Sequence, residues 1–146
     1  MDIRFADSFW IEAGKMSGPP QHRHQLELPW DLVQFFDNLS IETEVFPLGL
    51  PGGPVWWRPL TYRGTDYGKW TDIWRLGLLT PRMGGPDYVD RVIQFQRQID
   101  RSSEGWQQRY ELYVEDAGSA EANAWQARSV ELDSTGGHAG RNCGWF

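Results

Sequence analysis

Three segments rich in proline and glycine divide the chain into short stretches, and these segments limit the length of the helices and strands that the chain can form. Residues 14–25 contain two glycines and Pro19–Pro20, residues 47–54 read PLGLPGGP, and residues 81–86 read PRMGGP. Proline lacks an amide hydrogen and fixes φ, whereas glycine is entropically costly in a regular element. We therefore expect long exposed loops between short strands and helices.

Between these loops, apolar residues often alternate with polar ones, which is the period of a half-buried strand. The strands predicted on this basis are residues 3–12, 39–46, 106–115 and two strands within 56–79, joined by a turn-like segment at 64–68. We expect this hairpin to lie at the centre of the fold. Trp70 or Trp74 should pack in its core.

Three stretches indicate helices. Residues 29–36 begin with a proline suited to a first helical turn, and Leu32, Phe35 and Phe36 share one side. Residues 87–101 place apolar side chains at helical spacing, although a strand remains the alternative. Residues 119–132 are rich in alanine and glutamate, and the hydroxyl of Ser119 is placed to cap the start of a helix.

These elements predict an α+β fold with a mainly antiparallel sheet of about five strands and two or three helices. A chain of 146 residues has the usual size of one domain, so residues 1–146 are expected to form a single globular domain. Residues 134–146 are predicted to be an irregular glycine-rich tail. Its Trp145–Phe146 pair should insert into a groove, either on this domain or on a partner, and deletion of residues 144–146 should weaken assembly more than folding.

The charge and the single cysteine exclude several classes of function. The chain carries 14 basic and 20 acidic residues, a net charge of -6, so nucleic acid is not an expected partner. No apolar run is long enough for a signal peptide or a membrane span. Cys143 alone cannot form an intrachain disulfide or a thiolate cluster. A soluble protein is expected, cytoplasmic or, if the chain is phage-encoded, part of a virion.

His22 and His24 could chelate one metal ion if the segment is extended, with Glu27 as a third ligand. This spacing resembles part of the cupin metal motif, which implies a metal-dependent enzyme. In that family, a glycine stands six residues before the first histidine and the glutamate follows the second by four or five. Here Gly18 stands four before and Glu27 three after. We therefore expect no metal or other cofactor, and a cupin-like enzyme is kept as an alternative.

The remaining chemistry favours binding over catalysis. The chain has no G-x-S-x-G nucleophile motif and no glycine-rich nucleotide-binding motif. It has nine tryptophans, and arginine makes up all of its basic residues except Lys15 and Lys69. Tryptophan, tyrosine and arginine are the residues that most often anchor protein interfaces.

The function expected from the sequence is therefore that of a non-enzymatic structural or interaction protein. It would associate with copies of itself or with other protein subunits, as in a phage virion or tail. The candidate partner-binding residues are Trp56, Trp57, Arg58, Tyr62, Tyr67, Trp145 and Phe146. The alternative is a domain that binds carbohydrate or another small ligand on flat tryptophan faces, with Trp56, Trp57, Trp70 and Trp74 as the platform.

Overall fold

β-Strands dominate the computed structural model, which describes residues 1–16, 23–36, 44–65, 72–100, 107–138 and 140–146. The strands in these ranges are β1 (Ser8–Glu12), β2 (Gln25–Pro29), β3 (Glu44–Gly49), β4 (Trp56–Thr65), β5 (Asp72–Gly77), β6 (Arg91–Asp100), β7 (Gln107–Asp116), β8 (Glu131–His138) and β9 (Arg141–Trp145). The α-helices are α1 (Trp30–Val33) and α2 (Ala120–Arg128), and 3-10 turns lie at Ile3–Phe5, Gln34–Phe36 and Pro81–Met83. Within the described residues, neither helix is long and apolar enough to cross a membrane.

All nine strands belong to one mixed sheet that curves into a half-barrel, in the order β2-β5-β4-β3-β7-β6-β1-β9-β8. Neighbouring strands are antiparallel except β3 and β7, which pair in parallel through Leu48 and Tyr110. The predicted five-stranded antiparallel α+β fold is therefore wrong. The sheet has almost twice the expected number of strands, and the described helices are short.

Residues 87–101 account for part of this difference, because they form β6 and not a helix. β6 pairs with β7 along its whole length and with β1 through five residues. Ile93 and Phe95 enter the main core, while Val92 on the opposite face packs with Trp10 and Trp125. A strand buried on both faces has apolar residues at odd and even positions, which weakens the alternation that distinguishes a strand from a helix.

The expected irregular tail accounts for a further part, because residues 134–146 contain the end of β8 and all of β9. The remaining unexpected strand is β2. β9 lies between β1 and β8, and its Cys143 is fully buried. Gly144 is in contact with the indole of Trp10: a Cβ at this position would lie 2.8 Å from Trp10 Nε1 and 2.7 Å from Ser129 Oγ. Glycine here permits a close approach within a strand and does not mark a loop.

Other local predictions are confirmed. The predicted hairpin is present as β4 and β5, and Trp74 is buried at 2% exposure. The hairpin is not at the centre of the fold, however, because β5 and β4 are the second and third strands from one edge of the sheet. The strand predicted at 106–115 is β7, and α2 begins after Ser119, whose Oγ accepts a hydrogen bond from the amide of Ala122. This helix ends at Arg128, however, and β8 begins at Glu131. The first predicted strand, residues 3–12, is also shorter than expected, because a 3-10 turn precedes β1.

Two predictions fall partly outside the described residues. Of the strand predicted at 39–46, the structure describes Glu44 onward, where β3 runs through Pro47 to Gly49 and shortens the expected loop at 47–54. Of the loop predicted at 14–25, residues 17–22 lie outside the described ranges, and Gln25 already begins β2.

The core fills the concave side of the half-barrel with aromatic rings. α1 and the 3-10 turn that follows it confirm the predicted short helix near residues 29–36, and they place Phe35 and Phe36 inside the sheet. The ring of Phe36 lies 5.2 Å from that of Phe95 and 5.1 Å from that of Tyr110. Because strand side chains alternate between faces, filling this side leaves the other set of side chains on the convex face.

Candidate functional site

The candidate site lies mainly on the convex face of β2, β5, β4 and β3, although Arg58 stands at a core-facing position of β4, two residues before the buried Leu60. Leu26, Leu60, Trp74 and Leu76 of these strands are buried in the core. Their sequence neighbours point away from it, since successive side chains of a strand face opposite sides. The outward side chains differ along the face: they are apolar on β3 and the first half of β4, and cationic on the second half of β4 and β5.

The apolar part consists of Val45, Pro47 and Trp57, and we call it the Trp57 patch. Pro47 of β3 is directly opposite Trp57 of β4, and Val45 is opposite Pro59. Trp57 is 65% exposed and Val45 is 54% exposed. A tryptophan ring left this exposed beside other apolar side chains is typical of a surface that contacts a ligand or a partner.

The cationic part is a cleft of about 340 Å³, which we call the arginine cleft. It is lined by His24 and Gln25 at the start of β2, by Arg58, Pro59, Thr61 and Arg63 of β4, and by Arg75 and Gly77 of β5. Pro59 therefore joins the cleft to the Trp57 patch. The cleft collects three guanidinium groups on a chain whose net charge is -6.

The backbone at the end of β5 fixes the guanidinium of Arg58. Its Nε donates to the carbonyl oxygens of Gly77 and Leu78 at 3.2 and 3.1 Å. Gly77 leaves room for this arrangement, because a Cβ there would lie 2.9 Å from Arg58 Nη2 and 3.0 Å from Pro59 Cδ. Burial lowers the pKa of Arg58, and the nearby Tyr88 acts in the opposite direction. An anion close to this group would offset part of the cost of its burial.

Arg63 and Arg75 reach the cleft in different ways. Arg75 donates through Nε and Nη2 to one carboxylate oxygen of Glu27, at 3.2 and 3.1 Å. Arg63 lies at a β-bulge, since the register between β4 and β5 shifts between Tyr62 and Gly64, and Gly64 has φ of 82°. Bulges commonly redirect a side chain beside a functional site.

The structure brings some of the predicted partner-binding residues together. Trp57 lies in the Trp57 patch, and Arg58 lines the arginine cleft. Trp56 shares with Arg58 the side of β4 opposite Trp57, and its side chain is partly exposed. Tyr62 instead packs inward, with its ring 4.9 Å from that of Trp74. Tyr67 lies outside the described residues.

Trp145 and Phe146 belong to a different part of the sheet. Trp145 Nε1 donates to the carbonyl oxygen of Met1 at 2.9 Å, and the guanidinium of Arg128 lies 4.6 Å from the ring of Phe146. Phe146 packs against the cluster of Trp10, Val92 and Trp125. The pair therefore packs on this domain itself, which is one of the two locations expected from the sequence.

The tryptophans proposed as a carbohydrate platform do not share one face. Trp56 and Trp57 are consecutive in β4 and point to opposite sides, Trp74 is buried, and Trp70 lies outside the described residues. Of these four, only Trp57 presents a largely exposed ring in the part of the chain that the structure describes. The described residues therefore do not present a row of exposed indole rings on which successive sugar rings could stack.

Of the residues proposed as metal ligands, the structure describes His24 and Glu27. His24 lines the arginine cleft, Glu27 is paired with Arg75, and His22 lies outside the described residues. Across the described ranges, three or more histidine, cysteine, aspartate or glutamate side chains do not come together in a metal-binding arrangement. Burial raises the pKa of Cys143 to about 12, so its thiol stays protonated at neutral pH and is a poor nucleophile.

Sequence reasoning missed Thr61, Arg63, Arg75 and Gly77 of the arginine cleft. A signal was present in the hairpin, because Arg63 of β4 and Arg75 of β5 each stand next to core residues, and such positions face outward. The strand register that places Arg75 opposite Thr61 could not be read from the sequence.

Comparison with known proteins gives no match to a family model, to a curated protein or to a solved structure. The function must therefore be inferred from the surface just described.

Proposed function

We propose that this protein is a non-enzymatic assembly subunit that docks onto another copy of itself through the Trp57 patch. The observation that carries this proposal is the 65% exposure of Trp57 on a regular strand, opposite Pro47 and near the exposed Val45. Tryptophan is among the residues most enriched at the energetic centres of protein interfaces. Pairing between β3 and β4 fixes the backbone that carries the ring, so docking requires little loss of backbone freedom.

The composition of the Trp57 patch supports self-association. Val45, Pro47 and Trp57 carry no charge, so contact between two such patches removes no charged group from water at its centre. Two copies can therefore meet there although each has a net charge of -6. A contact between identical patches has two-fold symmetry, which is the commonest arrangement in protein oligomers.

We extend the proposal to a phage virion or tail component as the biological setting. Assemblies of this kind are built from many small subunits with neighbours on several sides. The long Gly/Pro segments and the acidic, disulfide-free composition suit such a subunit. A cytoplasmic oligomer is the alternative setting, and the same surface would operate in both.

The solution size of Trp57→Ala tests the proposed contact. The wild-type chain should form an oligomer, and this variant should associate at least about tenfold more weakly, because truncating a central interface tryptophan commonly costs about 2 kcal/mol or more. Sedimentation velocity over a concentration series measures the association constant. The matched control is Phe5→Ala, since Phe5 is 75% exposed but lies in the 3-10 turn before β1.

Two results would contradict the proposal. One is a wild-type protein that remains monomeric at every concentration tested. The other is equal weakening of association by Trp57→Ala and Phe5→Ala, which would show that the effect does not depend on the Trp57 patch. Thermal unfolding of each variant confirms that it is folded.

A further inference from the structure

The arginine cleft holds a local excess of positive charge on a protein whose net charge is negative. Three arginines line a space of about 340 Å³ on an acidic protein, and His24 lies beside them. Like charges held this close repel one another, and the repulsion is relieved when an anion lies between them. The arrangement is independent of the Trp57 patch, because none of these four residues belongs to that patch.

Within the described residues, the cleft supplies one carboxylate for its three guanidinium groups. Glu27 is paired with Arg75 at 3.1 Å, and this ion pair is partly exposed. Arg58 donates to two neutral carbonyl groups, which leave its charge uncompensated. Arg63 has no hydrogen-bond or ionic partner among the described residues. Two guanidinium groups are therefore available to an anion.

The nature of the lining indicates which anion fits. A phosphate monoester carries a charge of about -1.5 to -2 at neutral pH and offers three acceptor oxygens, whereas a carboxylate carries a single charge. Arginine binds phosphate through paired N–H donors, and Thr61 and Gln25 supply further hydrogen-bond donors in the same cleft. Pro59 adds an apolar surface that an inorganic ion could not use.

We propose that the arginine cleft binds the phosphate group of a small phosphate monoester, with Arg58 and Arg63 as its charged ligands and the organic part against Pro59. The cleft volume lies at the lower end of the range found for small-molecule sites, which suits a ligand of this size. Arg58 is already positioned by the carbonyl groups of Gly77 and Leu78, so part of the site is formed before the ligand arrives.

Isothermal titration calorimetry with phenyl phosphate tests this site. The wild-type chain should bind one equivalent, and Arg63→Gln should weaken binding about tenfold, because one charge-assisted contact is lost. Arg82→Gln is the matched control, since it removes the same charge from an exposed 3-10 turn outside the cleft. Arg63→Lys should weaken binding less than Arg63→Gln, because it retains the charge but not the paired donors.

Titrations with inorganic phosphate and with benzoate test two parts of the proposal separately: the contact with the organic group and the choice of phosphate over carboxylate. Inorganic phosphate should bind more weakly than phenyl phosphate, and equal affinity would contradict a contact with the organic group. Benzoate binding as tight as phenyl phosphate would contradict the choice of phosphate. Absence of phenyl phosphate binding, or equal loss in Arg63→Gln and Arg82→Gln, would overturn the site. The sedimentation behaviour of Arg63→Gln should match that of the wild-type chain. A failure of the phosphate-binding proposal would therefore leave the test of self-association unaffected.

Discussion

At the scale of single residues, two glycines allow large side chains to lie close against the backbone of the sheet. Gly77 leaves space for the guanidinium of Arg58, and Gly144 leaves space for the indole of Trp10. In the sequence Gly77 falls within a predicted strand, whereas the glycine-rich composition of residues 134–146 predicted an irregular tail around Gly144. A glycine in the sequence indicates a position where a larger side chain does not fit. It does not show whether a turn or a neighbouring side chain is the reason.

Gly144→Ala should destabilise the fold by about 1–3 kcal/mol, because the added methyl group overpacks a closed site. Its Cβ would lie 2.7 to 2.9 Å from Ser129 Oγ, Trp10 Nε1 and the carbonyl oxygen of Glu131. Urea unfolding measures the change in free energy. Gly53→Ala is the control, since the nearest atom to its Cβ would be 3.4 Å away. Equal stability of the two variants would show that the contact at Gly144 relaxes without cost.

At the scale of elements, β6 explains why the helix prediction for residues 87–101 was wrong. α2 packs Ala122 and Trp125 over the convex side of the sheet, where they meet Val92 and Trp10. The strand is thereby covered on both faces, and Val92 adds an apolar residue outside the period of two that Ile93, Phe95 and Ile99 follow. By contrast, β7 alternates clearly enough to have been predicted from its own residues, with Tyr110 and Leu112 buried on one face.

Ile93→Ala and Val92→Ala test burial on the two faces of β6 separately. Ile93→Ala should cost about 2–5 kcal/mol because it leaves a cavity in the main core, and Val92→Ala should cost on the order of 1–3 kcal/mol beneath Trp125. Ile99→Ala on the same strand should have little effect, since Ile99 is 56% exposed. Denaturant midpoints and slopes give the three values. A neutral Val92→Ala would mean that α2 does not cover this face in solution.

At the scale of the whole molecule, local elements could be predicted but their arrangement could not. The β4–β5 hairpin, buried Trp74 and the serine cap of α2 follow from neighbouring residues. The parallel pairing of β3 with β7 joins segments far apart in the chain, and no local pattern specifies it. The arginine cleft is only partly local in origin, because β4 and β5 form a hairpin, whereas the pairing of β2 with β5 joins segments far apart in the chain.

Deletion of residues 144–146 distinguishes a folding role for the end of β9 from the assembly role expected from the sequence. The carbonyl oxygen of Phe146 accepts hydrogen bonds from the amides of Asp7 and Ser8 at 2.9 Å, and Trp145 pairs with Phe9 of β1. The deletion removes these bonds and two aromatic side chains packed on this domain. We therefore expect a loss of more than about 3 kcal/mol, a large part of the stability of a domain this size.

Urea unfolding of the truncated chain measures this loss, and sedimentation of the fraction that remains folded measures association. Trp57→Ala provides the comparison, because its exposed ring should affect association while leaving the unfolding midpoint nearly unchanged. A truncated chain that unfolds at the wild-type midpoint but no longer associates would restore the expectation that residues 144–146 serve assembly. Loss of stability with normal association of the folded fraction would instead assign them to the closure of the sheet between β1 and β8.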